Sequence, residues 1–198
     1  QYLTSAGFNW DANGKLHDKQ GHLVRFELNT NSGNDLREST GVKIKNDLEQ
    51  LGITVDFKAV DFNILVGKLD TRDWQSIVLG LGGGSSTEPN SGVNVWRSTG
   101  ALHLFNQRKP EDDLVGSDIV EPWEKQVDKL FTEGARHVKF EERKPYYHQY
   151  QQIIYDNAVL LYLYTSNYIV AVRSRLQNVS PTPIGGVTHN LDSLWIKD

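Results

Sequence analysis

The sequence predicts an α/β fold built on a β-α-β-α-β core, and three stretches carry the prediction. Leu23–Leu28 alternates, with Val24, Phe26 and Leu28 toward one side and Arg25 and Glu27 toward the other, the period of a strand. Ile53–Val60 sets Ile53, Val55 and Phe57 on one face in the same way. Gln75–Leu81 contains the apolar residues Ile77, Val78, Leu79 and Leu81 and empties into Gly82, Gly83 and Gly84. The segments between these strands have helical patterns, and strands separated by helices pair in parallel through right-handed crossovers. In an open sheet of this kind a ligand sits beyond the carboxyl ends of the strands. The outgoing loops Asn29–Asn34, Asp61–Asn63 and Gly82–Ser86 are therefore expected along one edge.

In chain order, Gln1–Asn9 reads as the end of a helix closed by Gly7. Asp11–Gly14 and Asp18–Gly21 are polar turns of a hairpin edge. Their acidic spacing has no bidentate glutamate at the twelfth position and so reads as turn chemistry, not as a calcium loop. A helix is expected over Asp35–Leu51, with Asp35 as N-cap, Glu38 completing a capping box, an apolar stripe of Leu36, Ile44, Leu48 and Leu51, and Gly52 as the stop. Asp61 caps a shorter helix through Leu69. Gly92–Asp118 shows little periodicity, although its aromatic residues argue for order. Helices follow over Pro122–Thr132, lined by Val127, Leu130 and Phe131, and over Glu141–Asn157, lined by Tyr147, Tyr150, Ile153 and Ile154. Val159–Tyr164, Tyr168–Arg173 and Leu194–Ile196 read as strands, with Ser180–Asn190 as a Pro/Gly loop.

Composition narrows the function classes. The chain has 198 residues, 38% hydrophobic and 23% charged, which suits a globular chain with a real core. A net charge of -4 argues against nucleic acid as the main partner. With no cysteine, neither a disulfide frame nor a thiolate metal site is possible. Methionine is also absent, even at position 1, so a processed chain or a piece of something longer is expected. No apolar run reaches the 18 residues of a membrane span, and no signal peptide is visible.

Gly80-Leu-Gly-Gly-Gly-Ser85 approaches a dinucleotide fingerprint but has Ser85 at the third glycine, and the following Pro-containing stretch opens no helix for a pyrophosphate. A nucleophile elbow fails too, since Ser86 and Thr87 follow Ser85. The six histidines show no metal-ligand spacing, and no paired general acid and base is in view, so no metal, cofactor or catalytic residue is expected. Trp96 either stacks on a ligand or packs as a core indole. Phe62 either lines a cleft or packs, and Asn31, Ser32 and Asn34 either bond a ligand or turn the chain.

A series of short segments resembles the carboxyl-terminal part of the bacterial extracellular solute-binding proteins of family 5. The segments are Ala6-Gly-Phe8 with Asp11-Ala-Asn-Gly14 and Asp18-Lys-Gln-Gly21, then Leu28-Asn-Thr-Asn-Ser-Gly-Asn34 with Arg37, and then Leu48–Val55. Asp73-Trp74 with the glycine turn and Glu88-Pro89 follow, then Glu142-Arg143 and Pro183–Asn190. The resemblance covers nearly the whole chain, in the family's order. It implies a class II periplasmic-binding-protein-like lobe with a mixed sheet and helices on both faces. Residues 1–158 would form the second lobe, and 159–198 would be terminal strands returning toward a first lobe absent from the chain.

The resemblance further implies a receptor that is either free in the periplasm or extracellular space or lipid-anchored at full length, and that delivers an oligopeptide or oligosaccharide to the membrane permease of an ABC importer. Its pocket in this lobe would lie on Gly82, Gly83, Gly84 and Ser85 and near Phe62. To these the residues' own chemistry adds Asn31 and Asn34 as hydrogen-bonding contacts and Trp96 or Phe62 as a stacking surface. Peptide-binding members carry an aspartate where Ser85 stands, and a hydroxyl does not replace that partner for an ammonium. A sugar, a modified peptide or an anionic oligopeptide thus fits at least as well. Two other readings predict different observations: an α/β enzyme or nucleotide-binding domain using the glycine turn, and a module that only docks a permease.

Overall fold

The structure is a computed structural model that describes residues 1–81, 88–105, 120–165, 167, 169–182 and 185–197. These fall into two compact units, the first containing residues 1–81 and the second residues 88–105 together with the described part of 120–197.

The first unit starts with a one-turn helix, α1 (Tyr2–Ser5), which ends as expected at Gly7, whose φ is +91°. Strands β1 (Asn9–Trp10) and β2 (Leu16–His17) form an antiparallel hairpin. Its turns are Asx turns: Asp11 Oδ1 accepts from the N–H groups of Asn13 and Lys15 at 2.8 and 2.9 Å, and Asp18 Oδ1 accepts from those of Gln20 and His22 at 2.9 and 2.8 Å.

Next come β3 (Arg25–Asn31), α2 (Asp35–Glu49), β4 (Thr54–Val60), α3 (Phe62–Thr71) and β5 (Ser76–Ile77). The sheet is parallel with order β4-β3-β5. Leu28, Val55 and Val78 are buried with Ile44 and Leu48 of α2 on one face. On the other face Glu27 meets Lys68 of α3. Two right-handed crossovers, one over each face, generate this order. The expected mixed sheet is thus a parallel three-stranded sheet, with separate two-stranded antiparallel ladders, among the described residues.

Local expectations differ from the structure in informative ways. Asn29, Thr30 and Asn31 are expected in a loop, but β3 runs through Asn31 because β4 pairs it along its whole length, while β5 pairs its other edge as far as Asn29. Its polar side chains are buried and bonded: Thr30 Oγ1 donates to Val78 O at 2.9 Å, and Asn29 Nδ2 donates to Glu27 Oε1 at 2.7 Å. The cap of α2 is Asn34, not Asp35, with Asn34 Oδ1 accepting from Arg37 N at 3.0 Å. Glu38 bonds Gly33 N instead of closing a box on Asp35. Leu36 and Leu51 of the expected stripe are exposed, whereas Ile44 and Leu48 pack. Gly52 takes φ +85° at the exit of α2, and a Cβ there would lie 2.4 Å from Gly14 O.

In the second unit, a 3₁₀ turn (Pro89–Gly92) and the short α4 (Val93–Trp96) occupy part of the stretch read as aperiodic; residues 106–118 of that stretch lie outside the described residues. Helices α5 (Pro122–Gly134) and α6 (Phe140–Asp156) pack through Val127, Leu130, Phe131, Tyr147, Tyr150 and Ile154. These are the faces read from the sequence. Pro122 holds the first helical position of α5, and Glu124 Oε2 accepts from Glu121 N at 2.7 Å.

The strands expected at Val159–Tyr164 and Tyr168–Arg173 do not form among the described residues; Tyr168 itself lies outside them. A strand needs a ladder partner, and the described residues supply none here, so Leu161 and Ile169 are 83% and 90% exposed. The last ladder pairs β6 (Leu176–Gln177) with β7 (Trp195–Ile196), the latter at the expected place.

Candidate functional site

The carboxyl ends of the parallel strands form a rim on the first unit. Asn31 stands opposite Val60 in the β3–β4 register, and Ser32 N continues the ladder to Val60 O at 2.6 Å. Val78 N reaches Asn29 O at 2.8 Å, which carries the β5 pairing one residue further toward the same edge. Both crossover helices start here, α2 from the Asn34 cap and α3 from Asp61, whose Oδ1 accepts from Asn63 N at 2.8 Å. First-turn N–H groups and their positive end of the helix dipole therefore gather at this edge.

The expected site residues fall at different places. Asn31 is 8% exposed at the end of β3, its Oδ1 taking a hydrogen bond from Arg37 Nη1 at 2.6 Å. Asn34 uses its side-chain oxygen to cap α2. Phe62, the first residue of α3, is 53% exposed beside the end of β4. Trp96 lies in the second unit, half-buried, with its ring centroid 5.7 Å from that of Tyr150 and 6.2 Å from that of Phe105. Gly82, Gly83, Gly84 and Ser85 lie outside the described residues.

Sequence reasoning did not place Arg37 or Gly80 at the rim. Arg37 stands in the first turn of α2, and a Cβ on Gly80 would lie 2.7 Å from its Nη2. No spacing rule links residues 37 and 80; only the β3-α2 and β5 placement brings them together. The buried pair of the second unit was not legible either. His103 Nε2 and Glu124 Oε1 are 2.9 Å apart, at 3% and 1% exposure, and His103 Nδ1 is 3.1 Å from Val95 O.

Among the described residues, cavities open elsewhere as well. A groove of about 660 Å³ runs over the sheet near the amino ends of its strands, between Arg25, Glu27, Asp56, Lys58 and Trp74. Its charges are matched in pairs. Arg25 binds Asp56 through Nε at 2.5 Å and Nη2 at 3.1 Å, and Glu27 takes hydrogen bonds from Lys58, Asn29 and Lys68. The Lys58 ammonium and the Asn29 amide hold the Glu27 carboxyl down to about 2, against desolvation that acts the other way. In the second unit a cavity of about 300 Å³ lies between Glu88, Phe140, Arg143, Tyr147 and His148, with Arg143 Nη2 2.6 Å from Glu88 Oε2. Among the described residues, no group of three or more histidine or acidic side chains could hold a metal ion.

A parallel sheet flanked by helices, with its loops and helix starts on one edge, is the architecture of a class II periplasmic-binding-protein lobe, and the solved structures that match have this fold. No protein-family model matches the chain. Its curated and structural neighbours are ABC-transporter substrate-binding proteins of the oligopeptide/nickel family. A probable ABC transporter-binding protein of Deinococcus radiodurans is 28% identical over 177 residues, 84% of this chain and 28% of that protein. The oligopeptide-binding protein AppA of Bacillus subtilis is 26% identical over 200 residues, 99% of this chain and 34% of that protein. The structure of AppA with a nonapeptide matches at a TM-score of 0.70, with 22% identity over 99% of this chain and 36% of that one. The periplasmic binding protein MelB from Agrobacterium fabrum, solved with stachyose, matches at 0.64, with 21% identity over 78% of this chain and 23% of that one. The chain spans about a third of the length of the curated relatives it matches.

Proposed function

We propose that the chain is the ligand-capturing second lobe of an extracytoplasmic solute receptor of an ABC importer, with an oligopeptide or a related polar solute as cargo. The observation that carries the reading is the common rim of β3, β4 and β5, where two capped helix starts, Asn31 and the chain leaving β5 converge. In relatives of this fold, one was solved with a nonapeptide and another with stachyose. A rim of backbone N–H groups, asparagine and aromatic side chains suits either ligand chemistry. The alternative of a nucleotide- or phosphate-binding enzyme finds no support among these relatives.

In this reading residues 1–158 form the lobe proper, and 159–198 return toward the first lobe. The exposed apolar residues Leu161, Tyr162, Leu163 and Ile169 support the return, since an apolar run of that kind is normally covered. The protein acts by binding, without catalysis, and passes its solute to a membrane permease. Among the described residues no helix is long and apolar enough to cross a membrane. The extracytoplasmic location, with a lipid anchor on the full-length receptor, is proposed from the resemblance to solute receptors of ABC importers. Gly82–Ser85, Asn31, Asn34, Phe62 and Trp96 are the proposed contacts. Affinity arises on closure, when the second surface buries the ligand from the other side. Calorimetry with oligopeptides and stachyose tests this. The full-length receptor is expected to bind one of the two classes and the isolated chain to bind it far more weakly. Equal affinities would refute the two-lobe mechanism.

A further inference from the structure

Arg37 is held in place and largely unused. Its Nη1 donates to Asn31 Oδ1 at 2.6 Å, and its Nη2 packs on Gly80, where a Cβ would come within 2.7 Å. A guanidinium carries five N–H donors in a planar fork. Among the described residues only Asn31 accepts from that fork, and no carboxylate forms an ion pair with it. Arg25, Arg97, Arg136 and Arg143 are each paired with an acid, at Asp56, Asp128, Glu133 and Glu88. The acids nearest in sequence do not neutralise Arg37: Glu38 bonds Gly33 N, and Asp35 forms no ion pair with it. The side chain is half-buried, so its charge is only partly screened.

We propose that Arg37 is a carboxylate-recognition residue of the solute site, giving this receptor a preference for solutes that present a carboxylate at the rim. The inference rests on the receptor reading above and names the ligand chemistry within it. The fork is fixed on one side by Asn31 and lies against a residue with no side chain, beside the last residues of the chain leaving β5. Its remaining donors can meet a carboxylate in the bidentate geometry that guanidinium favours. Among the described residues this single guanidinium has no acidic partner, and a monoanionic carboxylate matches its one charge, whereas a phosphate carries close to two at neutral pH.

The test uses the full-length receptor carrying this lobe, with stachyose and three N-acetylated pentapeptides: Ala-Gln-Ala-Gln-Ala as its amide, Ala-Glu-Ala-Glu-Ala as its amide, and Ala-Gln-Ala-Gln-Ala with a free carboxyl terminus. Calorimetry is expected to show one of the two carboxylate-bearing peptides binding roughly 10-fold to 100-fold more tightly than the neutral amide, the range for a charge-assisted hydrogen bond. Which one binds tells side-chain from terminal carboxylate. In Arg37→Gln the ratio of carboxylate-peptide to neutral-peptide affinity is expected to fall to near unity, which a purely structural arginine would not produce. Should Arg37→Gln fold poorly, Gly80→Ala serves instead, displacing the guanidinium while keeping the charge, and is expected to weaken the same preference. Equal binding of charged and neutral peptides overturns the inference, as does a preference unchanged in both variants. Binding of stachyose but of no peptide overturns it and leaves the receptor reading standing. Binding of none overturns both.

Discussion

Gly41 tests whether close approach of α2 to the sheet organises the first unit. It is the buried residue of α2, and a Cβ there would lie 2.2 Å from Cε2 and 2.6 Å from Cζ of Phe57 on β4. Gly41→Ala brings two opposed effects. In a helix interior, alanine is favoured over glycine by about 1 kcal/mol. Forcing a methyl into a filled contact costs about 1–3 kcal/mol. Phe57 has little room to yield, because its ring packs on the Leu28, Val55 and Val78 cluster, and turning it off its rotamer costs about 0.5–1.5 kcal/mol. The expected net is a loss of about 1 kcal/mol, or roughly 4–8 °C for a unit of this size.

Thermal and urea unfolding of Gly41→Ala, Phe57→Leu and the double variant, followed by far-ultraviolet circular dichroism, measure it. Each single change is expected to destabilise, and the pair is expected to lose less than the sum by about 1 kcal/mol, since the smaller side chain makes room for the methyl. If Gly41→Ala is instead more stable than the parent by the propensity difference, the contact with Phe57 does not constrain the helix and the packing argument fails.

Two further outcomes follow from buried and paired charge. Glu27 has its folded pKa lowered from 4.5 to about 2, so its contribution is complete above 4.5 and disappears as pH falls from there through 2. With screening of a side chain about one-fifth exposed, the loss is expected to be about 1–2 kcal/mol, and Glu27→Gln should flatten that part of the stability profile relative to the parent. An unchanged acid limb would contradict the assignment. In the second unit, Glu124→Ala removes the partner that lies 2.9 Å from His103 at 1% exposure, together with the acceptor for Glu121 N. A loss of about 3–5 kcal/mol is expected, measured by unfolding followed through tryptophan fluorescence; a loss under about 1 kcal/mol would mean that the pair is solvated.

What could be read from the sequence was what short stretches decide for themselves. The Asp11, Asp18 and Asp61 side chains bond N–H groups two to four residues on, and Gly7 and Gly52 close helices within one turn, so residue type and position sufficed. Three well-spaced strands separated by helices likewise fixed a parallel order. The misreadings lie where a distant partner decides. Asn29-Thr-Asn31 has loop composition, and only its ladder with β4, with Val78 and Glu27 accepting the side chains of Thr30 and Asn29, makes it strand. Val159–Tyr164 has strand composition but finds no ladder among the described residues. Asn34 and Asp35 are equally good caps by type, and the choice rests on Asn34's extended backbone, at φ −124°, which aims its oxygen at Arg37 N.

The candidate site shows the same division. The carboxyl-edge location followed from topology alone. Arg37 and Gly80, 43 positions apart, became a feature only once the parallel sheet set the start of α2 beside the end of β5. The same placement is why ligand chemistry was open at the level of sequence. A set of glycine, serine and asparagine residues read from the sequence suits sugars and peptides alike, and the sign of the charge beside Asn31 depends on whether a folded neighbour neutralises the arginine.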